Sequence, residues 1–268
     1  QHAGQVALLH DLLAGTSAWT QVFRINVFTP YLVGYGLALP LSFIVPVGVA
    51  LKLILSLSYI AFVFALVALR RHFHGDPRLD WLFVLSFFGP AYHWGFFTFL
   101  AAAPIAVVFI LVADRHAQQP CLKRGVVALL TGLALLLSHG LMFVFGLAVA
   151  GTLYLLRCRE RGWAGRWLLD AWPFALSGLV CLGYLFFSTR LQQQYGGIAE
   201  AGQILWRWEW KRLPKLFINS LGGKTTLPVL LASVVLVALP WLLGLRIDGR
   251  RPAAWAMFGI CLLIALAV

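Results

Sequence analysis

The side chains of this sequence that could hold or move a proton sit where long apolar runs turn. His93 lies in Gly89-Pro90-Ala91-Tyr92-His93-Trp94-Gly95, between the two apolar runs of 79–114. His139 lies in Ser138-His139-Gly140, between the two runs of 122–157. An imidazole at such a turn either caps a helix by hydrogen bonding, or binds a phosphate or relays a proton. Both readings stand for both residues, since polar groups at membrane depth tend to face a cavity or the bundle interior. His2, His10 and Asp11 are the titratable groups of the N-terminal segment, and Asp11 is its only carboxylate. A general base needs a carboxylate within hydrogen-bond reach of the hydroxyl it activates. Following His10 on a surface helix, Asp11 reads more simply as a solvated residue.

Other candidate motifs fall away. Gly222-Gly223-Lys224-Thr225 looks like the end of a phosphate loop, but Ile218 stands where its first glycine belongs and no strand precedes it. His72 and His74 form an HxH without a third ligand nearby and read as a solvated basic loop. The four cysteines, Cys121, Cys158, Cys181 and Cys261, show no CxxC and no pairing pattern, so neither a disulfide framework nor a metal site is indicated.

The elements that position these groups are membrane helices. Apolar residues make up 61% of the chain and charged residues 11%, and the apolar ones come in long blocks. A crossing takes ~20 mostly apolar residues. Ala3 to Leu13 reads as a short helix, closed by Gly15-Thr16-Ser17. Residues 31–69 would be about 58 Å long as one helix at ~1.5 Å per residue. Pro40 and Pro46 divide them into a short interfacial helix, 31–44, and a full span, 46–69. Two paired runs follow around His93 and two around His139. Spans at 167–188 and 227–244 come next, and a last run begins at Ala253. The expected fold is all-α: a polytopic transmembrane bundle with about eight crossings. In domain terms, 1–268 is one transmembrane domain. Within it, 1–44 is a first outer loop with interfacial helices, 45–188 the core helices, 189–226 an outer amphipathic loop, and 227–268 further spans. Residue 1 is Gln and the last run stops in mid-helix, so a longer protein is expected, with a helix before Gln1 and more after Val268.

Charge sets the sides. The net charge is +12, and 13 of the 21 Lys and Arg fall in four short loops, 70–80, 114–124, 157–166 and 245–252. Such loops face the cytoplasm, and their dispersal between spans argues against nucleic acid as a partner. The N-terminal segment, both histidine turns and 189–226 then lie outside. In that last loop Ile204, Leu205, Trp208, Leu213, Leu216 and Phe217 alternate with Arg207, Glu209, Lys211, Arg212 and Lys215. This predicts an amphipathic helix on the membrane surface. It is a simple anchor, or a cover whose cations meet a lipid phosphate.

At Gly95, Phe96, Phe99, Leu100 and Pro104, followed by a basic loop and then His139 at the middle of a hairpin, the chain resembles bacterial multi-pass proteins of the GT-C glycosyltransferase-like superfamily. The Thr29-Pro30-Tyr31 entry into an apolar run is similar to the end of their first outer loop. The resemblance spans roughly residues 1–190. It implies an enzyme of the bacterial inner membrane that moves a sugar from a polyprenyl-phosphate carrier to an acceptor at the outer face. It implies a base or metal contact in the first outer loop, where His2, His10 and Asp11 fall. It also implies that His93, His139 and Arg190 contact phosphate, with Arg207 and Lys211 of the outer loop joining them. The family's acidic motif itself is not found in these 268 residues. No cofactor is evident, and a divalent cation is the one left open. The expected partners are membrane lipids, the lipid-linked sugar and other membrane subunits. The alternative function is a non-catalytic integral membrane subunit that scaffolds a larger complex, in line with the scarcity of outer carboxylates. A transporter ranks third, because no inverted repeat is clear and only Lys52 sits deep in a span.

Overall fold

The computed structural model describes residues 2–23, 25–26, 29–163, 166–194, 227–245 and 252–267. All of its regular structure is helical. In chain order the helices are α1 (His2–Ala14), α2 (Leu32–Ser42), α3 (Val47–His72), α4 (Leu82–Ser86), α5 (Pro90–His93), α6 (Phe97–Gln118), α7 (Leu122–Ser138), α8 (Gly140–Glu160), α9 (Trp167–Asp170), α10 (Trp172–Gln194), α11 (Leu227–Leu242) and α12 (Pro252–Ala267), with a 3₁₀ turn at Pro77–Leu79. The break at Pro46 is observed: Pro46 is the N-cap of α3, extended at ψ 141°.

Among the described residues three helices, α3, α6 and α8, are long and apolar enough to cross a membrane. The expected hairpin around His93 is built differently. Its first run is not a spanning helix but a 3₁₀ turn followed by α4 and α5. The ten residues before Gly89-Pro90, eight of them apolar, would reach only about 15 Å as a helix, half of a bilayer core. That run instead lies along α3, where Phe87 and Phe88 pack against Tyr59 at ring-centre distances of 5.4 and 5.1 Å. Residues 73–96 thereby carry the chain back to the end where α3 began.

As a result α3 and α6 run parallel. Phe97 at the start of α6 packs beside Ile54, Val47 and Leu51 of α3, while the last turns of the two helices meet through His72 and Asp114. Helix α8 is parallel to both and packs directly on α6, and α7 returns antiparallel against α6 and α8. Helix α6 is the centre of the bundle: 67% of its spanning window is buried, against 22% for α3 and 39% for α8. Its buried face carries Ala102, Ala106, Ala113 and Ala117, with Phe109 wholly enclosed. Small residues on α7 and α8 make room for that ring. A Cβ on Gly132 would stand 3.1 Å from Phe109 Cε2, and one on Gly146 3.3 Å from its Cδ1. Close approach over small residues is how helices pack where lipid removes the hydrophobic drive. Helix α10 runs beside α7, with Trp172 lying against Gly125. Helices α1 and α2 pack across the starting ends of α3 and α6, burying Val6 and Ala38 completely.

Candidate functional site

The bundle has a polar cluster at each end. At the end where α3, α6 and α8 begin, α1 and α2 bring histidines onto an aromatic group. The Tyr35 hydroxyl donates to Gln5 Oε1 and lies 2.7 Å from His2 Nδ1. With the phenolic proton given to Gln5, His2 Nδ1–H is the donor to Tyr35. The His2 ring also packs against Phe97, with ring centres 5.8 Å apart. Burial holds the His2 imidazole below its ordinary range.

His139 is the N-cap of α8, where its Nδ1 accepts the Met142 N–H at 3.4 Å. That leaves the proton of the neutral ring on Nε2. Tyr31 and Phe99 each present an edge to the ring at 5.5 Å. Pro30 covers the turn, 3.4 Å from where a Gly140 Cβ would be. Burial lowers the His139 pKa, so the resting ring is a neutral single donor. Two histidine–aromatic groups therefore stand at this end, His2 with Tyr35 and Phe97, and His139 with Tyr31 and Phe99. Both groups meet the first turn of α6, His2 through Phe97 and His139 through Phe99.

The remaining expected residues lie apart from these groups. His10 Nδ1 bonds Ser42 Oγ at 3.0 Å and its ring stacks on Phe43 at 4.2 Å, at the far end of α2. Asp11 is exposed on α1, about 13 Å along the helix from His2 at ~1.5 Å per residue. Its carbonyl receives the Thr16 and Ser17 N–H groups at 3.0 and 3.2 Å. Its carboxylate has no partner among the described residues. His93 is exposed in α5, edge-on to Tyr92 at 6.1 Å. Arg190 stands exposed on the last turns of α10 with its guanidinium 4.2 Å over the Phe186 ring. Arg207, Lys211 and the predicted amphipathic helix lie outside the described residues. Among those described, no group of three or more His, Cys, Asp and Glu converges on one point.

The second cluster was not expected. At the basic end, Asp114 of α6 is completely buried and fully engaged. Its Oδ1 accepts Arg157 Nε at 2.9 Å; its Oδ2 accepts Arg157 Nη2 at 3.0 Å, Gln118 Nε2 at 2.8 Å and His72 Nε2 at 2.7 Å. Arg157 also holds Glu160 at 2.9 Å. The reading of His72 as part of a solvated loop is therefore corrected. His72 belongs to the last turn of α3, and its side chain is 11% exposed and paired with a buried carboxylate. A carboxylate with its lone pairs occupied by an Arg fork and two further donors is held, not available as a base. The cluster ties α3, α6 and α8 together. Its one signal in the sequence is Asp114 itself, a single carboxylate closing an apolar run.

Comparison with protein-family models, curated proteins and solved structures finds no match to this chain.

Proposed function

We propose that this chain is a glycosyltransferase-like protein of the bacterial inner membrane, with about eight crossings, that takes a sugar from a polyprenyl-phosphate carrier at its histidine-bearing end. The observation that carries this reading is the pair of histidine–aromatic groups at one end of the bundle, His2 with Tyr35 and Phe97 and His139 with Tyr31 and Phe99, in the first outer loop and the mid-hairpin turn that the resemblance to GT-C proteins singles out. In this reading Asp11 accepts the acceptor hydroxyl proton. The freed oxygen bonds to the anomeric carbon as the bond from that carbon to the phosphate oxygen breaks. The departing lipid phosphate takes its hydrogen bonds from His139 Nε2–H and its counter-charge from Arg190, with Arg207 and Lys211 closing over it. Aromatic faces beside the histidines supply a platform for a sugar ring.

The test is sugar transfer by the purified chain in proteoliposomes supplied with a polyprenyl-phosphate sugar. His139→Gln and Arg190→Gln should lower turnover at least tenfold, with Asp11→Asn lower still. Unchanged turnover in all three removes the assignment.

A second reading, a non-catalytic subunit of a larger membrane complex, is favoured by one observation: Asp11 stands a helix length away from His2. Co-purification in fixed ratio with other membrane proteins, together with no transfer by the wild-type chain, selects that reading.

A further inference from the structure

The basic end carries cations that the bundle itself does not use. Arg70 is held by Asp80 at 2.5 and 2.9 Å, and Arg157 by Asp114 and Glu160. Arg71 and Arg115, in the last turns of α3 and α6, are exposed instead. Neither side chain has a hydrogen-bond or ion-pair partner among the described residues.

Both stand over an apolar groove of about 530 Å³, walled by Val63, Phe64, Val67 and Ala68. Phe64, Ala68 and Arg71 are four and three residues apart, so they form one stripe along α3 that ends in the guanidinium. From Phe64 to Arg71 the stripe is about 10 Å long at ~1.5 Å per residue, and Phe64 is 70% exposed. On the other side of Arg115 a second groove of about 550 Å³ has Val112 and Val127 as wall, and Arg115, Lys123 and Arg124 as rim. Arg124 is tied to Gln119 at 2.8 Å, and Lys123 has no partner among the described residues. No carboxylate lines either groove.

The two halves of each groove ask for one molecule. A water-soluble anion would satisfy the cations and leave the apolar wall unfilled. A neutral lipid would fill the wall and leave two guanidinium groups without a counter-charge. A membrane anion with acyl chains does both, and anionic lipids collect at the cytoplasmic face where loops of this composition lie. We propose that the grooves flanking Arg115 hold an anionic phospholipid, its phosphate between Arg71 and Arg115 and its acyl chain along Ala68, Val67 and Phe64, with Lys123 bounding the second groove. This site is independent of sugar transfer at the other end.

The experiment is native mass spectrometry of the full chain in detergent, titrated with dioleoyl phosphatidylglycerol or dioleoyl phosphatidylcholine. Phosphatidylglycerol should bind at least tenfold more tightly. Arg71→Gln and Arg115→Gln should each weaken it about fivefold, the effect of one cation beside an anionic headgroup. Arg159→Gln, exposed at the same end and lining neither groove, should change it less than twofold. Equal affinity for the two lipids overturns the proposal. So does equal weakening by Arg159→Gln, which would mark diffuse charge. Displacement of the lipid by millimolar inorganic phosphate overturns it as well, in favour of a free-anion site. If Arg115→Gln does not fold, Arg71→Gln and Lys123→Gln carry the comparison.

Discussion

Replacing Asp114 by Leu should cost the bundle about 3 kcal/mol, and the reason lies in what the change leaves behind. Asp114 is fully buried and receives four hydrogen bonds, two from Arg157 and one each from His72 and Gln118. Removing one partner of a buried ion pair typically costs about 3–5 kcal/mol, because the remaining charge stays desolvated and unpaired. The lower end applies here, since the Arg157 and His72 side chains keep 19% and 11% of their exposure and can turn toward water. Arg157→Met should cost a similar amount by stranding the carboxylate. The double variant Asp114→Leu/Arg157→Met removes both charges and should cost about as much as either single change. The expected coupling is therefore about 3 kcal/mol. The assay is reversible unfolding in mixed micelles, followed by tryptophan fluorescence. Single costs below about 1 kcal/mol, or single costs that add, would refute the view that this cluster ties α3, α6 and α8 together.

Other consequences are as direct. A Cβ on Gly125 would stand 2.6 Å from Trp172 Cζ2, so Gly125→Ala should destabilise by about 1–3 kcal/mol. Gly151, with nothing within 4 Å, should gain up to about 1 kcal/mol on becoming Ala in the same unfolding assay. Tyr35→Phe removes the hydroxyl that joins His2 to Gln5 and should loosen α1 by about 1 kcal/mol, read as faster amide exchange in 2–14. Burial lowers the His139 pKa, so the unfolded chain binds the extra proton more readily than the folded one. That contribution to stability is complete above the ordinary histidine pKa of about 6.5 and fades as pH falls through it toward the lowered folded value. His2 adds to the same trend. Unfolding midpoints between pH 8 and pH 5.5 should drop less in His139→Gln than in wild type; equal slopes would exclude the residue.

Much of this architecture was legible from local pattern. Helix starts at Pro46 and breaks at Gly89-Pro90 and Ser138-His139-Gly140 follow from what proline and glycine do to a single turn of backbone. The histidine at the second break is a cap, one of the two roles its position allowed. The expectation of a single spanning helix before Gly89 failed, and the chain returns along α3 in short pieces instead, because apolarity alone does not distinguish a run that forms its own helix from one that lies along a neighbour. Tyr59 and Phe62 on α3 offered Phe87 a packing surface, and the chain took it. His72 was misread for a related reason: its partner Asp114 is 42 residues away, and nothing in the basic loop points to it.

The sequence alone determined that the chain is helical and apolar, where its helices break and which end is basic. These properties depend on each residue's own solvation and on the few residues beside it, since an apolar environment forces backbone groups to bond within their own segment. Tertiary structure decided that α3, α6 and α8 run parallel, that Asp114 closes on Arg157 and His72, and that Arg71 and Arg115 are left facing outward. Those outcomes depend on which helix ends meet. A buried charge finds its counter-ion across helices, where packing fixes the distance, and residues distant in sequence become the nearest in space.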